Sequence, residues 1–401
     1  MKFTKLLTAG TIASVLLISQ FGTASAETMS HKKSDVKVRH HVKAVVQHHS
    51  VGHLSFIGEQ RISNDALFKG TPVGGLSGMD YNPLTNQWIM ISDDRSNLAP
   101  ARFYSGQLNY DSRKFNSVKL TDVTLLKQPD GTTYPNLTEY STHQTGVVPD
   151  LESVRFDPRS GNIWYTSEGD RSLRLVPFIR QAQPNGDYLS SLQIPNQFNI
   201  GLNPDTGFRN NLALEGSSFS PNGEFYFASM EAPLYQDGNI PTVDAGGYSR
   251  ITKYDRQGHI LAEYAYPVSP IPAQPGKGKS ADNGVSEMLA VNNHELLILE
   301  RSGVQADDGS YSNYIRIYKV DTRQATDVSK LDSLQSGNFK PVSKQLVLNL
   351  NTLHLPKLDN VEGMSWGPKL ENGHDSLVLV SDNNFNPTEV TQFLAFDVNP
   401  K

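Results

Sequence analysis

Leu151-Glu152-Ser153-Val154 is one of five related tetrapeptides in this chain of 401 residues. The others are Leu76-Ser77-Gly78-Met79, Leu214-Glu215-Gly216-Ser217, Val285-Ser286-Glu287-Met288 and Val361-Glu362-Gly363-Met364. Their second positions are residues 77, 152, 215, 286 and 362, so successive units begin 75, 63, 71 and 76 residues apart. In each unit a turn and a second apolar run follow, and that run ends at carboxylates, as in Ser92-Asp93-Asp94. Such a long repeat indicates an array of similar supersecondary units.

Each repeat holds four predicted β-strands. In the first unit they are Leu76–Tyr81, Gln87–Ser92, Arg102–Leu108 and Val118–Leu126. Valine, isoleucine and aromatic residues are frequent in such runs, turn residues separate them, and no comparable stretch shows a sustained helical period. Four-stranded units repeated around an axis make a β-propeller, so we predict an all-β protein with five blades.

The last repeat contains only three good strands, of which Thr391–Val398 is the final one. We predict that Leu54–Ile62, at the start of the domain, is the missing fourth strand. That pairing would close the ring and hide two sheet edges. A less regular sixth blade within residues 127–149 or 174–210 is the alternative count.

The first 26 residues are typical of a bacterial-style secretion signal. Lys2 and Lys5 precede the mostly apolar residues 6–21, and Ala24-Ser25-Ala26 is a small-residue cleavage site. We therefore predict cleavage after Ala26 and a secreted, extracellular protein. No other run in the sequence is long enough to span a bilayer, so we expect no membrane span.

Residues 27–53 are polar, basic and rich in histidine, holding six of the chain's eleven histidines. We interpret them as a flexible linker to the propeller domain, residues 54–401. The alternative is a tail that binds metal or associates with an anionic cell wall.

Charge is unevenly distributed along the chain. Residues 1–53 carry a net charge of +5 and residues 54–401 a net charge of −10. An acidic domain disfavours nucleic acid as a partner. The chain has no cysteine, so disulfides cannot stabilise it outside the cell. We expect a monomer.

Carboxylates recur at equivalent positions of the repeats. In a propeller the first strand of each blade lies nearest the central channel, so Glu152, Glu215 and Glu362 should lie at similar heights around one axis. Seven acids at the ends of the second strands should lie at a neighbouring level: Asp93, Asp94, Glu168, Asp170, Glu231, Glu300 and Asp382. So many carboxylates cannot all stay ionised without compensation. Calcium, which takes six to eight oxygen ligands, fits those seven acids best.

Arginine directly follows three of these strand ends, at Arg95, Arg171 and Arg301. Arginine beside metal-binding carboxylates suits an anionic ligand such as phosphate. The alternative is that the acids and arginines are salt bridges between blades that only stiffen the ring. Sequence signatures of nucleotide-binding loops and of the serine-hydrolase elbow are absent.

The repeat openings resemble the phytase-like family, whose members are described as having esterase-like activity of phytase. The residues that carry the resemblance are 75–80, 150–155, 214–223 and 360–367. The resemblance implies a secreted or surface β-propeller with clustered acids that hydrolyses phosphoesters. The family's acidic positions correspond to Glu152, Glu215, Glu362, Asp93, Glu168, Glu231, Glu300 and Asp382.

The sequence thus predicts a secreted, calcium-dependent phosphoester hydrolase that acts on a small anionic substrate. In this hypothesis the strand-end acids bind calcium, Arg171, Arg301 or Arg95 holds the phosphate, and one of Glu152, Glu215 and Glu362 is the general base. A non-catalytic propeller that binds a ligand at the cell surface is the alternative. Metal-dependent hydrolysis of an ester or a lactone is a further one.

Overall fold

A computed structural model describes residues 49–202 and 205–401. The predicted signal sequence and residues 27–48 of the predicted linker lie outside the described residues. The described chain begins with strand β1 (His53–Ile62), and a small hairpin of β2 (Leu67–Phe68) and β3 (Thr71–Pro72) follows it. Within the described residues, no helix has the length and apolar character needed to cross a membrane.

Five four-stranded antiparallel sheets make up the rest of the fold. Blade 1 contains β4 (Leu76–Asn82), β5 (Gln87–Ser92), β6 (Arg102–Tyr110) and β7 (Phe115–Leu125). Blade 2 contains β8 (Leu151–Phe156), β9 (Ile163–Ser167), β10 (Phe178–Ala182) and β11 (Tyr188–Leu192). Blade 3 contains β12 (Leu214–Phe219), β13 (Tyr226–Met230), β14 (Gly247–Tyr254) and β15 (Ile260–Val268). Blade 4 contains β16 (Gly284–Ala290), β17 (Glu295–Gln305), β18 (Tyr311–Asp321) and β19 (Ser343–Asn349).

Blade 5 contains β20 (Asn360–Trp366), β21 (Asp375–Asp382) and β22 (Thr391–Asn399), and β1 is its fourth strand. β1 pairs antiparallel with β22 from His53 opposite Asn399 to Ile62 opposite Thr391. The predicted closure is therefore confirmed. It joins the two ends of the domain in one sheet, which leaves neither β1 nor β22 as an unpaired end of the ring.

The inner strands β4, β8, β12, β16 and β20 each contact the next one around the ring, which gives a β-propeller of five blades. The stretches considered for a sixth blade have other roles. Residues 174–210 include β10 and β11 of blade 2, and residues 127–149 contain the short helix α1 (Leu137–His143). Short 3-10 helices occur at Asn196–Phe198, Tyr235–Asp237 and Leu350–Leu353.

The apolar core lies between neighbouring blades. Alternate residues of a strand point to opposite faces of its sheet. In β5, Ile89 and Ile91 accordingly pack against blade 2, whereas Trp88 and Met90 pack against blade 5. Each of the five blade pairs shares such a cluster of buried side chains among the described residues. Both faces of each sheet are thus buried, which explains why the second strands read as continuous apolar runs.

Described residues that precede β1 also pack against the propeller. His49 stacks on Trp366 with ring centroids 4.0 Å apart, and its Nδ1 atom lies 2.8 Å from Asp375 Oδ2. Val51 is buried, and Gly52 N donates to Asn399 O at 2.8 Å. Residues 49–53 therefore pack against the propeller.

Candidate functional site

The inner strands carry a β-bulge at the position that the repeat marks. The pairing register of each inner strand with the second strand of its blade shifts there. The residues within these five breaks include Ser77, Glu152, Glu215, Ser286 and Glu362. A bulge leaves a residue outside the ladder and re-aims its side chain. The repeated sequence position thus lies in a β-bulge in every blade, and we call this position the bulge slot.

Eight carboxylates from blades 1, 2, 3 and 5 converge near the bulge slots, and we call them the carboxylate ring. They are Asp93, Asp150, Glu152, Glu168, Glu215, Glu231, Glu362 and Asp382. Seven are buried, and Asp93 is half-buried. Burial is the main cause that raises the pKa of every member, and neighbouring carboxylates add to it. The pKa of Glu168 rises to about 6.

Three members of the carboxylate ring come close enough to share one cation. Glu152, Glu168 and Glu215 each offer an oxygen, and these oxygens all lie within 4.8 Å of one another. The donors are carboxylate oxygens alone, which is the donor set that hard cations such as calcium prefer. Ser77, in the bulge slot of blade 1, adds a buried hydroxyl beside Glu362. The residues present therefore fit a hard divalent cation.

Arg301 brings the positive charge of blade 4 into the carboxylate ring. Its Nη2 atom lies 3.3 Å from Glu231 Oε1, and its Nε atom lies 3.6 Å from Glu362 Oε1. Nη1 lies 3.8 Å from Asp282 Oδ1 at the entrance to blade 4. The side chain is 18% exposed, and these carboxylates hold its pKa above the usual value although burial acts against it.

Arg95 lies at the edge of the carboxylate ring. Its guanidinium is 3.4 Å from Asp150 Oδ2 and donates to Asp170 Oδ2 at 2.5 Å. Arg95 has a φ of 55° and Ser96 a φ of 59°, a left-handed conformation that is uncommon outside glycine. This local conformation turns the chain just after the strand-end acids. Arg95 is therefore placed by an unusual turn rather than by the strand itself.

Arg155 fills the centre of the propeller, where it meets carbonyl groups that lie two residues beyond the bulge slots of the other blades. Arg155, on β8, is buried, and its guanidinium donates to the carbonyl oxygens of Met79, Ser217, Met288 and Met364 at 2.6–3.1 Å. These carbonyls belong to the inner strands of the other four blades. Glu287 Oε2 lies 2.6 Å from Arg155 Nη2. We call Arg155 and Glu287 the axle pair, because they join all five inner strands on the propeller axis.

Two predicted metal ligands have other partners. Asp94 forms a buried ion pair with Arg102. Glu300 accepts hydrogen bonds from Tyr266 Oη at 2.8 Å and from Lys344 Nζ. Each carboxylate is already neutralised by a cation of its own. Asp94 and Glu300 thus lie in ion pairs outside the carboxylate ring, and their assignment as calcium ligands stays a prediction.

Of the remaining predicted residues, Asp170 and Arg171 lie outside the carboxylate ring, whereas the others come together in it or at its edge. Asp170 pairs with Arg95 and accepts from Leu173 N at 3.0 Å, so it lies beside the carboxylate ring. Arg171 anchors a loop, since it donates to the carbonyl oxygens of Thr206 at 3.0 Å and Phe208 at 2.6 Å. The structure thus brings together Glu152, Glu215, Glu362, Asp93, Glu168, Glu231, Asp382 and Arg301.

Sequence reasoning missed Asp150 and the axle pair. Asp150 directly precedes Leu151, and Asn360 holds the equivalent place before Val361 in blade 5. That residue faces the site in both blades, since Asn360 Nδ2 donates to Glu362 Oε1 at 2.9 Å. The polar residue directly before the repeated tetrapeptide was the sequence feature that could have identified Asp150. Arg155 had no such signal, because its position in the tetrapeptide frame bears arginine in blade 2 alone.

The fold and site define a five-bladed propeller with the carboxylate ring beside its inner strands and a buried arginine, Arg155, at its centre. The family model described as "Phytase-like: Esterase-like activity of phytase" matches residues 71–385. The chain therefore belongs to the phytase-like family. No curated protein matches the chain in sequence.

Solved structures that resemble the chain are remote in sequence. A tail fibre of Staphylococcus aureus phage P68 shares 11% identity with a TM-score of 0.36; the match covers 86% of this chain and 52% of the phage chain. A glucose dehydrogenase-type oxidoreductase of Thermus thermophilus shares 13% identity with a TM-score of 0.34, over 88% and 98% of the two chains. The Dos1 propeller shares 8% identity with a TM-score of 0.31, over 86% and 96%. This chain thus spans about half the length of the phage protein.

Proposed function

We propose that this chain is a secreted, calcium-dependent phosphoester hydrolase. The observation that carries the proposal is the carboxylate ring, in which eight acids face, among the described residues, one arginine within the ring and one at its edge. Such an excess of buried negative charge favours bound cations. Membership of the phytase-like family supports a phosphoester as the substrate, and the predicted signal sequence supports secretion.

Glu152, Glu168 and Glu215 are the residues that would hold calcium, because their oxygens lie within 4.8 Å of one another. When bound, the ion would neutralise these acids and polarise an oxygen of the substrate. The chain's own part is to hold the three carboxylates in place before binding. The bulges in β8 and β12 do this for Glu152 and Glu215, and Ala213 N donates to Glu168.

Arg301 and Arg95 would contact the anionic oxygens of the substrate. Both lie at the carboxylate ring and are partly exposed, at 18% and 29% of their side chains. Guanidinium groups donate paired hydrogen bonds that match phosphate geometry. The axle pair fills the centre of the propeller on one side of the carboxylate ring. The substrate would therefore enter and leave on the other side, where these two arginines lie.

Glu362 is our candidate for the general base. Asn360 Nδ2 donates to its Oε1 at 2.9 Å and fixes the carboxylate. Burial raises the pKa of Glu362, and the charge of Arg301 opposes that rise. A carboxylate with a raised pKa accepts a proton more readily at neutral pH. Glu362 would take a proton from the water that attacks phosphorus in line with the leaving oxygen.

Turnover of a chromogenic phosphate monoester, with calcium added and then chelated, tests the proposal. We expect calcium-dependent turnover by the wild type and a loss of about two to four orders of magnitude in Glu362→Gln. The matched control is Glu371→Gln, since Glu371 is exposed and lies outside the carboxylate ring. That control should retain wild-type turnover.

Three results would overturn the proposal. Wild-type turnover that survives complete removal of metal would reject the calcium dependence. Turnover of a chromogenic carboxylic ester or lactone with none of the phosphate would favour the ester hydrolase. Binding of calcium without turnover of either compound would favour the ligand-binding propeller.

A further inference from the structure

The loop between β21 and β22, residues 383–390, lies at the edge of the carboxylate ring. It directly follows Asp382, a member of the ring, and Asn384 N donates to Asp382 Oδ1 at 2.8 Å. Asn383 is buried, and its Oδ1 atom accepts from Gly75 N at 3.0 Å, just before the inner strand of blade 1. These hydrogen bonds fix the loop between blades 5 and 1.

This loop holds an aromatic side chain in an unusual backbone conformation. Asn384 has a φ of 46° and Phe385 a φ of 50°, and a left-handed conformation is rare for a bulky residue. Such a conformation costs free energy and persists only where the surrounding structure enforces it, as it often does at ligand sites. The side chains of Asn384 and Asn386 both donate to the carboxylate of Glu389 at 2.9 Å. The loop is thus closed on itself and keeps Phe385 in one place.

The phenyl group of Phe385 lies beside Asp93, over two glycines. A Cβ atom on Gly75 would overlap Asp93 Oδ1 and would lie 2.7 Å from Phe385 Cε2. A Cβ atom on Gly74 would lie 2.9 Å from Phe385 Cε1. Gly75 also has a φ of 61°, which glycine adopts without strain. The two glycines therefore leave the space in which a phenyl group and a carboxylate of the ring lie side by side.

Asp93 is the most accessible member of the carboxylate ring. It is half-buried, whereas the other seven members are buried. Phe385 is also half-buried, and the side chain of Arg95, two residues after Asp93, is 29% exposed. A ligand that reaches the ring from solvent at this point would meet Asp93, Arg95 and Phe385 together. The guanidinium suits an anionic group of that ligand, and the phenyl group suits an apolar face.

We propose that Phe385 determines substrate specificity, and that the preferred substrate is a phosphoester whose alcohol part carries an aromatic group. The inference rests on the proposed function and adds the class of alcohol that the site prefers. The aromatic group would pack on the phenyl group of Phe385 in the offset or edge-to-face geometry that aromatic pairs favour. The phosphate would then extend towards Arg95. A small polar alcohol would gain little from Phe385.

A comparison of benzyl phosphate with ethyl phosphate tests this proposal. Their alcohols are similarly poor leaving groups, so a difference in kcat/KM reports contacts with the alcohol part. We expect the wild type to prefer benzyl phosphate. Phe385→Ala should lower kcat/KM for benzyl phosphate about five- to tenfold, chiefly by raising KM, and should leave kcat/KM for ethyl phosphate within about twofold. An unchanged preference in Phe385→Ala would overturn the inference.

Two further variants and a control identify what the preference depends on. Phe385→Trp keeps a flat aromatic face and should keep the preference, whereas Phe385→Leu keeps only apolar contact and should lose most of it. A full preference in Phe385→Leu would overturn the aromatic class of substrate. The matched control is Phe225→Ala, since Phe225 is half-buried and directly precedes β13, at the end of blade 3 away from the carboxylate ring. It should keep the wild-type preference.

Binding of phosphonates, which are not hydrolysed, separates this inference from the proposed function. Calorimetry with benzylphosphonate and ethylphosphonate in calcium should show tighter binding of the benzyl compound by the wild type. Phe385→Ala should remove that difference. Turnover of phosphoesters with no preference for benzyl compounds would overturn the inference and leave the proposed function intact. Preferential binding of benzylphosphonate without turnover of either ester would support the role of Phe385 and overturn the proposed hydrolysis.

Discussion

The axle pair and the carboxylate ring are close along the chain, since Arg155 follows Glu152 on β8, but their charges are compensated in different ways. At the axle, the guanidinium of Arg155 reaches four carbonyl oxygens and the carboxylate of Glu287. In the carboxylate ring, Arg301 lies 3.3 Å from Glu231 and 3.6 Å from Glu362, and Arg95 lies 3.4 Å from Asp150 at the edge. The axle pair is a completed hydrogen-bond network, whereas the carboxylate ring contains more negative than positive charge.

The axle pair therefore has a structural role, whereas the carboxylate ring is the candidate functional site, although both belong to the same repeat. A buried charge with all its hydrogen bonds made stabilises the fold, provided that both partners stay in place. Buried acids without sufficient counter-charge destabilise the metal-free protein and gain stability when a cation binds. Substitutions in the two regions should therefore change stability in opposite directions.

Replacing Arg155 should have the largest effect. Arg155→Met leaves Glu287 as a buried charge without its partner and deprives four carbonyl oxygens of a donor. Breaking a buried pair in this way costs about 3–5 kcal/mol. Urea unfolding should show that loss, or the variant should fail to accumulate as soluble protein.

A matched pair at the surface is the control for this experiment. Arg323 pairs with Asp321 at 2.5 Å, and its side chain is 60% exposed. Arg323→Met should cost less than about 1 kcal/mol, as exposed ion pairs do. If Arg155→Met unfolded within about 1 kcal/mol of the wild type, the axle pair would not be the structural centre that we describe.

Asp93 and Asp94 offer the same comparison in adjacent residues. Asp94 is held by Arg102, so Asp94→Asn should destabilise the protein by about 1.5–3 kcal/mol, the range for hydrogen bonds to charged groups. Burial and neighbouring acids raise the pKa of Asp93, so Asp93→Asn should stabilise the metal-free protein. Thermal melting without calcium should show melting temperatures shifted in opposite directions.

Calcium binding is the second readout for this pair. Asp93→Asn removes a charge from the carboxylate ring and should weaken calcium binding, whereas Asp94→Asn should leave the affinity within about twofold, a change of under 1 kcal/mol. If both variants lost stability to a similar extent in metal-free buffer, the repulsion within the ring would be smaller than the structure indicates.

The sequence was sufficient for the fold because the propeller is a local pattern repeated. Each strand is recognisable from its own apolar residues and turns, and the closing strand follows from the missing fourth strand of the last repeat. The inner acids Glu152, Glu215 and Glu362 were also recognisable, because the repeat aligns them. In the structure these three acids share a β-bulge in the inner strand. A bulge is a shift in pairing register, which the residues alone do not display.

The division of the strand-end acids could not be predicted from position alone. Asp93 and Glu300 were both predicted at the end of a second strand, but Glu300 lies within β17, where Lys344 neutralises it, whereas the neighbours that shift the pKa of Asp93 are carboxylates. Lys344 lies 44 residues from Glu300 in the chain, on a strand whose register sets the contact. Arg155 is a more extreme case, since one of its carbonyl partners, Met364, is 209 residues distant.

The smallest effect that we predict is the pH dependence of the stabilisation by calcium. Burial raises the pKa of Glu168 from 4.5 to about 6 in the folded, metal-free protein. Between these values the folded state binds more protons than the unfolded state, so the free energy of unfolding falls as pH rises. Calcium needs ionised carboxylates, so its stabilising effect should grow over the same interval. Melting temperatures measured from about pH 4.5 to about pH 7.5, with and without calcium, should diverge as pH increases. Glu168→Gln should make the metal-free slope shallower, since the other ring carboxylates keep their raised pKa values, while Glu371→Gln preserves it. A metal-free melting temperature that rises across this interval would contradict the raised pKa values of the ring carboxylates.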